Sequence, residues 1–250
     1  MIEVFGAFGL LASAIITNKI ILYALSPELL VAVRMLAASL LLTLYSFINA
    51  HHRVSGALLK RYLSLVVTIA CFTTFFPSNL KAYALAHMPS SKMAFFGTLD
   101  PFVAALFSYM LYNERLSPQK WLGLLVGCAG MLVLIFTSSP VEEQLKVFSV
   151  VSYPELAALF AIVMSRFGWI LAQGLLRTGA LGSIQLNSIT MAIGGLCSLG
   201  VALLRAKMTI IPLSEAPLAL LKNGPLNLVS PSVQLSGFLL YTILIGNVFG

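Results

Sequence analysis

The chain has 250 residues, of which 59% are hydrophobic and only 9% are charged, and its mean hydropathy is +0.97. Soluble domains carry about 25% charged residues, so this composition excludes a soluble globular protein and predicts a polytopic integral membrane protein embedded in a lipid bilayer. The net charge of +7 comes from dispersed basic residues, and no basic stripe with interleaved aromatic residues indicates a nucleic-acid partner.

Eight apolar stretches are long enough to cross a membrane as helices. They are residues 4–25, 29–49, 62–86, 93–112, 121–138, 156–176, 181–204 and 232–250. A helical span needs about 20 apolar residues, and a continuous apolar run in lipid pairs its own backbone groups only as a helix. The sequence therefore predicts an all-α fold, a polytopic transmembrane helical bundle with about eight spans.

The two ends of the chain and its loops predict how it sits in the membrane. The start, Met1 to Val4, is acidic and lacks a signal-peptide cleavage pattern, so we expect the first span to remain in the mature protein. Basic residues in the loops of the first six spans favour a cytoplasmic N-terminus, and we expect the membrane to be a bacterial inner membrane. The last apolar run reaches Gly250 without a basic flank or polar tail, and we expect a truncated chain to be the reason.

Five of the apolar stretches contain one charged residue each. These residues are Lys19, Arg34, Lys81, Asp100 and Arg166. A charge at bilayer depth costs at least about 2.5–3.5 kcal/mol, so it usually faces a cavity, a partner or an ion path. At 1.5 Å per residue, the first four lie about 8–10 Å from one membrane face, and Arg166 lies about 15 Å from it. The shared depth predicts a common water-filled pocket, and its excess of cations favours an anionic or zwitterionic ligand.

Other roles for these charges are open at this point. Long basic side chains can carry their charge to the membrane surface, which would remove Lys19, Arg34 and Lys81 from any pocket. Asp100 is too short for this, so we expect it to form a salt bridge with Lys81 or Arg34. Proton coupling through Asp100 is the alternative.

An aromatic and an amide side chain follow Arg166 at helical spacing. Trp169 lies three positions after Arg166 and Gln173 a further four, so all three share one helix face. Trp169 would provide an aromatic wall for a ligand, and Gln173 would hydrogen-bond to it. The alternative for Trp169 is a contact with lipid or a packing role.

The sequence predicts neither a cofactor nor a metal site. Cys71, Cys128 and Cys197 lie in separate apolar stretches, and no cysteine–histidine cluster has metal-ligand spacing. No Walker-type phosphate loop is present, so ATP is not expected to drive the protein directly.

Prolines and glycines inside the spans indicate close packing and irregular backbone. Pro77 and Pro101 each free a backbone carbonyl within a span, which predicts a kink or an acceptor that faces a ligand. Gly123 and Gly127 form a GxxxG pattern, which lets a neighbouring helix approach closely.

Residues 84–135 combine a proline within a span, an acidic residue at its end, a short loop and a glycine-rich helix. The residues concerned are Pro101, Glu114, Gly123, Gly127 and Gly130. Together with the stretch from Ser26 to Arg34, this pattern resembles an EamA-type domain of the drug/metabolite transporter superfamily. The resemblance implies ten helices in two inverted five-helix repeats.

The resemblance also implies a division of the chain. Residues 1–137 correspond to a complete first repeat, 138–153 to a linker, and 154–250 to an incomplete second repeat of three helices whose last two are missing. Inverted repeats bind a small-molecule substrate near the membrane midplane and alternate its access. The predicted function is a secondary transporter of a small polar metabolite, anionic or zwitterionic, such as an amino acid or a nucleotide-like compound.

Two other functions are weighed against transport. A non-transporting subunit or remnant is favoured by the abrupt end of the chain. A membrane-embedded enzyme would need paired acids, a metal set or an activated nucleophile at depth, and Asp100 is the one acid that the sequence predicts there, so we expect no enzyme. Substrate identity, coupling to protons or other ions and homodimerisation are left open.

Overall fold

The computed structural model describes residues 13–22, 25–48, 56–97, 99–112, 117–135, 152–179, 181–206 and 231–244. Almost all of these residues are helical, and five helical stretches among them are long and apolar enough to cross a membrane. The five are Pro27–Ile48, Arg61–His87, Ser90–Met110, Tyr153–Arg177 and Ser183–Arg205. The predicted all-α transmembrane bundle is confirmed.

The described part of the chain contains ten α-helices and one π-helical segment. We number the helices α1 (Ser13–Leu22), α2 (Pro27–Ile48), α3 (Gly56–Ile69), α4 (Phe76–His87), α5 (Ser90–Gly97), α6 (Asp100–Tyr112), α7 (Pro118–Ile135), α8 (Tyr153–Arg177), α9 (Ser183–Ala206) and α10 (Pro231–Ile243). The π-helical segment, Ala70–Phe75, joins α3 to α4 within a single span.

The fourth predicted span is interrupted. Helix α5 ends at Gly97, α6 begins at Asp100, and Leu99 forms a turn between them. Pro101 therefore lies in the first turn of a new helix, where the amide that proline lacks would have no partner in the helix. The proline predicted to kink a helix instead helps to start one.

The π-helical segment lies immediately before the second proline predicted to disturb a span. Pro77 occupies the second position of α4. Proline cannot donate a hydrogen bond to the carbonyl four residues earlier, that of Thr73, and its ring crowds that carbonyl. The wider π turn accommodates this mismatch without ending the span.

Helices α2 and α9 form the most extensive helix pair, and hydroxyl groups join them. Ser39 Oγ donates to the Ser188 carbonyl at 2.9 Å, and Ser188 Oγ donates to the Ser39 carbonyl at 3.3 Å. Thr43 Oγ1 lies 2.6 Å from Ser188 Oγ. Such hydroxyls satisfy one another where water is excluded and so fix the relative position of the two helices.

Two glycines let α8 and α9 lie against the π-helical segment. A Cβ atom on Gly168 of α8 would lie 2.7 Å from the backbone nitrogen of Thr73, and one on Gly194 of α9 would lie 2.7 Å from Cγ2 of Thr74. Both distances are too short for a side chain, so the glycines are what permits the close approach. Helices from the second half of the chain thereby hold the irregular part of the first half between them.

The predicted GxxxG pattern is used at one of its two positions. A Cβ atom on Gly127 would lie 2.6 Å from Cζ of Phe102, so α7 meets the Phe102 ring of α6 at this glycine. At Gly123 the space within 4 Å is open in the part of the chain that the structure describes. The close approach therefore depends on Gly127.

Two buried apolar clusters lie at different heights along α8. The Met88 cluster joins α4, α5 and α8 and consists of Ala84, Leu85, Met88, Met93, Phe96, Leu99, Ala158 and Ile162. The Val66 cluster joins α3, α8 and the start of α9 and consists of Val66, Ile69, Ala172, Leu175, Leu181 and Leu186. Because α8 contributes residues before Arg166 to the first cluster and residues after it to the second, Arg166 lies at a height between them.

Several sequence predictions fall on residues that the structure does not describe. These are the predicted linker up to residue 151 and the acidic residue Glu114. The proposed division of the chain at this linker stays a prediction.

Candidate functional site

An arginine and an aspartate from the predicted pocket meet as a two-point ion pair. Arg166 Nε of α8 donates to Asp100 Oδ1 at 2.7 Å, and Arg166 Nη2 contacts Asp100 Oδ2. The two side chains are 30% and 25% exposed. Asp100 stands in the first turn of α6, where the helix dipole also favours a negative charge. The pair is thus half-buried and lies at the interruption between α5 and α6.

A second cation lies near this pair. Lys81 of α4 is half-buried and within electrostatic range of both Asp100 and Arg166. Among the described residues its ammonium group has no hydrogen-bond or ion-pair partner. We call these three residues the Asp100 site. Together they carry one excess positive charge, between the Met88 cluster and the Val66 cluster.

The partner of Asp100 differs from the one expected from the sequence. Depth along the spans favoured Lys81 or Arg34, whereas the structure pairs Asp100 with Arg166. The depths counted from the sequence differ by about 5 Å, and a long arginine side chain covers such a difference. The depth counted along a helix places the backbone of a residue and leaves out how far its side chain extends.

Arg34 makes a different contact. Its Nη1 donates to Asn18 Oδ1 of α1 at 3.1 Å. The side chain is half-buried in α2, and this hydrogen bond joins the first two helices. A substrate contact by Arg34 stays a prediction.

The side chain of Lys19, in α1, reaches the C-terminal end of α4. Its Nζ donates to the carbonyls of Leu85, Ala86 and Met88 at 2.5, 3.0 and 2.9 Å. The last carbonyls of a helix lack partners within the helix, and a cation placed there also interacts favourably with the helix dipole. Lys19 therefore caps the C-terminal end of α4, and its predicted role in substrate binding is untested.

The two residues predicted to extend the face of Arg166 are exposed. Trp169 is 42% exposed, and Gln173 is also exposed on α8. Phe167, beside Arg166, instead packs edge-on against Phe72 of the π-helical segment, with ring centroids 5.3 Å apart. Ligand contacts by Trp169 and Gln173 stay predictions.

A further ion pair was missed by the sequence reasoning. Lys92 Nζ of α5 lies 2.5 Å from Glu155 Oε1 of α8, and the side chains are 5% and 1% exposed. Glu155 Oε2 also accepts a hydrogen bond from the backbone amide of Ser152 at 2.6 Å. The spacing of Ser152 and Glu155 before an apolar run is a capping-box pattern, which would have identified the start of α8 and its acid.

Comparisons with known proteins agree with this architecture. A model of the EamA-like transporter family matches residues 2–136 of the chain. The S-adenosylmethionine/S-adenosylhomocysteine transporter of Chlamydia muridarum (strain MoPn / Nigg) is 26% identical over 220 residues, which cover 88% of this chain and 68% of that protein.

Two further similarities are shorter or more distant. A transporter of the same name from Chlamydia trachomatis serovar L2 is 29% identical over 136 residues, which are 54% of this chain and 41% of that protein. A crystal structure of a protein 20% identical to this one covers 97% of this chain and 77% of its own, with a TM-score of 0.54. At this identity the structural match shows a similar fold.

Proposed function

Because this chain belongs to the EamA-like transporter family, we propose that it is a secondary transporter that carries a small zwitterionic or anionic metabolite across a membrane by alternating access. The chain is a multi-pass membrane protein, as its family and its apolar helices require. In this proposal residues 1–137 and 154–250 are two inverted repeats that rock against each other.

The observation that carries the proposal is the Asp100 site at a helix interruption. Secondary transporters bind substrates near the midplane, where interrupted helices direct their ends at charged groups. Here α6 begins at Asp100, the carboxylate meets Arg166 from the other half of the chain, and Lys81 lies close by. Charged groups at this depth are costly unless they serve a partner or a ligand.

The three charges suit a substrate with an amino-acid group. Lys81 and Arg166 would attract a carboxylate, and Asp100 would accept hydrogen bonds from an ammonium group. Arg166 would then exchange part of its contact with Asp100 for the substrate carboxylate. S-adenosylhomocysteine ends in such a zwitterionic group, and S-adenosylmethionine ends in the same group with a sulfonium charge beside it, so the compounds named for the relatives are the first to test.

The two apolar clusters would serve as the gates of this site. The Met88 cluster and the Val66 cluster lie on opposite sides of Arg166 along α8, which contributes to both. Opening one cluster while the other stays packed would expose the Asp100 site to one side of the membrane at a time. Alternating access needs this arrangement.

Uptake into proteoliposomes tests the proposal. Radiolabelled S-adenosylhomocysteine and S-adenosylmethionine are offered to vesicles preloaded with unlabelled compound, with an anionic amino acid as a third substrate. Arg166→Gln should reduce uptake by about tenfold or more, the effect of losing one charge-assisted contact of about 1.4 kcal/mol.

Arg205→Gln is the matched control, because Arg205 pairs with Glu28 at the surface and is 70% exposed. Its uptake should equal that of the unchanged protein. Equal uptake by Arg166→Gln and Arg205→Gln would overturn the assignment of the site, and absence of uptake for all three substrates would overturn the proposed substrate class.

A further inference from the structure

Two ion pairs of opposite polarity hold α5 and α6 against α8. In the first, the cation Lys92 belongs to α5 and the anion Glu155 to α8. In the second, the anion Asp100 belongs to α6 and the cation Arg166 to α8. If α8 moved along its neighbours until Glu155 faced Asp100, or until Arg166 faced Lys92, two like charges would meet. The two pairs therefore fix one register between these helices.

The Met88 cluster is the layer between the two pairs. Along α8, Glu155 precedes the cluster residues Ala158 and Ile162, and Arg166 follows them. Along α5, Lys92 stands next to Met93 of the same cluster. Opening a path from this end of the bundle to the Asp100 site would require separating the Lys92–Glu155 pair as well as the apolar layer.

The burial of the first pair differs from that of the second. The Lys92 and Glu155 side chains are 5% and 1% exposed, whereas those of Arg166 and Asp100 are 30% and 25% exposed. A fully buried ion pair often contributes no more to stability than apolar residues of the same shape would, because both charges have lost their hydration. When the helices separate, however, both charges regain water. A charged pair thus leaves a packed interface easier to open than an apolar pair does.

We propose that the Lys92–Glu155 pair is the latch of a gate formed by the Met88 cluster. The pair is joined while this side of the Asp100 site is closed, and it separates, with both charges hydrated, when this side opens. This inference rests on the proposed alternating access. Glu155 keeps a partner during opening, since its other oxygen binds the Ser152 amide of its own helix.

A thiol placed in each cluster reports the state of its gate. Ile162 and Leu175 are each 1% exposed, the former in the Met88 cluster and the latter in the Val66 cluster. Ile162→Cys and Leu175→Cys are made separately after Cys71, Cys128 and Cys197 are replaced by serine. The rate of reaction with a small water-soluble maleimide then measures how often each cluster opens, without any substrate.

Three variants of the pair form a double-mutant cycle. Lys92→Met leaves Glu155 without its cation, and Glu155→Gln removes the negative charge that faces Lys92 but keeps the capping-box pattern. Each single variant should raise the reaction rate of Ile162→Cys about tenfold, as for a loss of about 1.4 kcal/mol of coupling in the closed state. The double variant should return to the original rate or fall below it, because no unpaired charge remains to be hydrated.

Leu175→Cys shows whether a variant opens the Met88 cluster alone or loosens the whole helical bundle. In the single variants its rate should stay unchanged or fall, since only one gate opens. A rise at both cysteines, an unchanged rate at Ile162→Cys, or a double variant as reactive as the single ones would each overturn the latch. If a single variant does not fold, Glu155→Asp replaces it; this change keeps both charges, shortens the reach, and should raise the Ile162→Cys rate about threefold.

The outcome is independent of the proposed substrate. If the maleimide reaction rates change as expected but no metabolite is taken up, the latch is supported and the proposed substrate class is overturned. If uptake is normal but the reaction rate of Ile162→Cys does not respond to the variants, transport is supported and the latch is overturned.

Discussion

Arg166 and Asp100 join α8 to the first turn of α6 through two parallel contacts. Bidentate geometry makes this the strongest form of an arginine–carboxylate pair, and it also makes the pair a mimic of the contacts an amino-acid group would form. A ligand carrying both an ammonium and a carboxylate group can therefore replace each partner without leaving either charge unsatisfied. In the proposed function, Arg166 and Asp100 therefore satisfy each other's charge until a substrate competes for them.

Removing the anion of this pair should destabilise the protein. Asp100→Asn leaves the Arg166 guanidinium half-buried with a neutral partner, and we expect a loss of about 1–3 kcal/mol, less than for a fully buried pair because both side chains are partly exposed. Thermal unfolding of the detergent-purified protein measures it.

The double variant Asp100→Asn/Arg166→Gln separates stability from function. It should recover most of the lost stability, because the guanidinium that Asp100→Asn leaves without its anion is removed as well, while uptake stays low. A single variant as stable as the unchanged protein would contradict the structural role of the pair, and recovered uptake in the double variant would contradict its binding role.

Lys81→Met should have the reverse effect on stability. Its ammonium group is half-buried without an ion-pair partner among the described residues, so replacing it with an apolar side chain of similar length removes a desolvation cost. We expect the melting temperature to stay equal or rise, while the KM for uptake rises about tenfold or more. Lys81→Arg, which keeps the charge, should retain more uptake than Lys81→Met. A fall in stability with unchanged KM would show that Lys81 serves the fold instead.

The sequence predicted the membrane class and the all-α bundle because apolar run length decides both. It also selected Asp100, Lys81 and Arg166, together with Lys19 and Arg34, as charged residues within apolar stretches, and the structure brings the first three near one another. Which acid pairs with which base depends on side-chain reach and on the packing of helices distant in sequence. The depth of a residue along its helix gives no information on side-chain reach or on which helices pack together.

The irregular backbone was only partly predictable. Pro77 and Pro101 indicated where the spans would be disturbed, but the outcome differs at each, a π turn before one and a new helix at the other. The local sequence sets the need for an irregularity. The tertiary contacts of the π turn, where Gly168 and Gly194 pack against Thr73 and Thr74, join residues distant in sequence and could not be predicted from the local pattern.

Lys19→Met tests the one predicted site residue whose contacts are those of a helix cap. It removes three hydrogen bonds to the end of α4, and we expect a loss of about 1–3 kcal/mol because these carbonyls lose a charged donor. The KM for uptake should change less than twofold, a small effect beside that of Lys81→Met. A tenfold rise in KM with unchanged stability would instead place Lys19 in the binding site.

Gly168→Ala tests whether the close approach of α8 to the π-helical segment matters. The new Cβ atom would lie 2.7 Å from the Thr73 backbone nitrogen, and because a backbone atom cannot turn aside, α8 must move. Over-packing of this kind typically costs about 1–3 kcal/mol. Uptake should fall as well, since the same movement displaces Arg166 two residues away.

Gly174→Ala is the control, on the same helix with open space around its Cβ position in the described part of the chain. Alanine favours a helix over glycine by about 1 kcal/mol, so this variant should be as stable as the unchanged protein or more so, with normal uptake. Gly194→Ala should cost less than Gly168→Ala, because its new Cβ atom meets the Thr74 side chain before any backbone atom. If unfolding measurements rank Gly168→Ala no lower than Gly174→Ala, the contact at Thr73 does not hold the two halves of the bundle together.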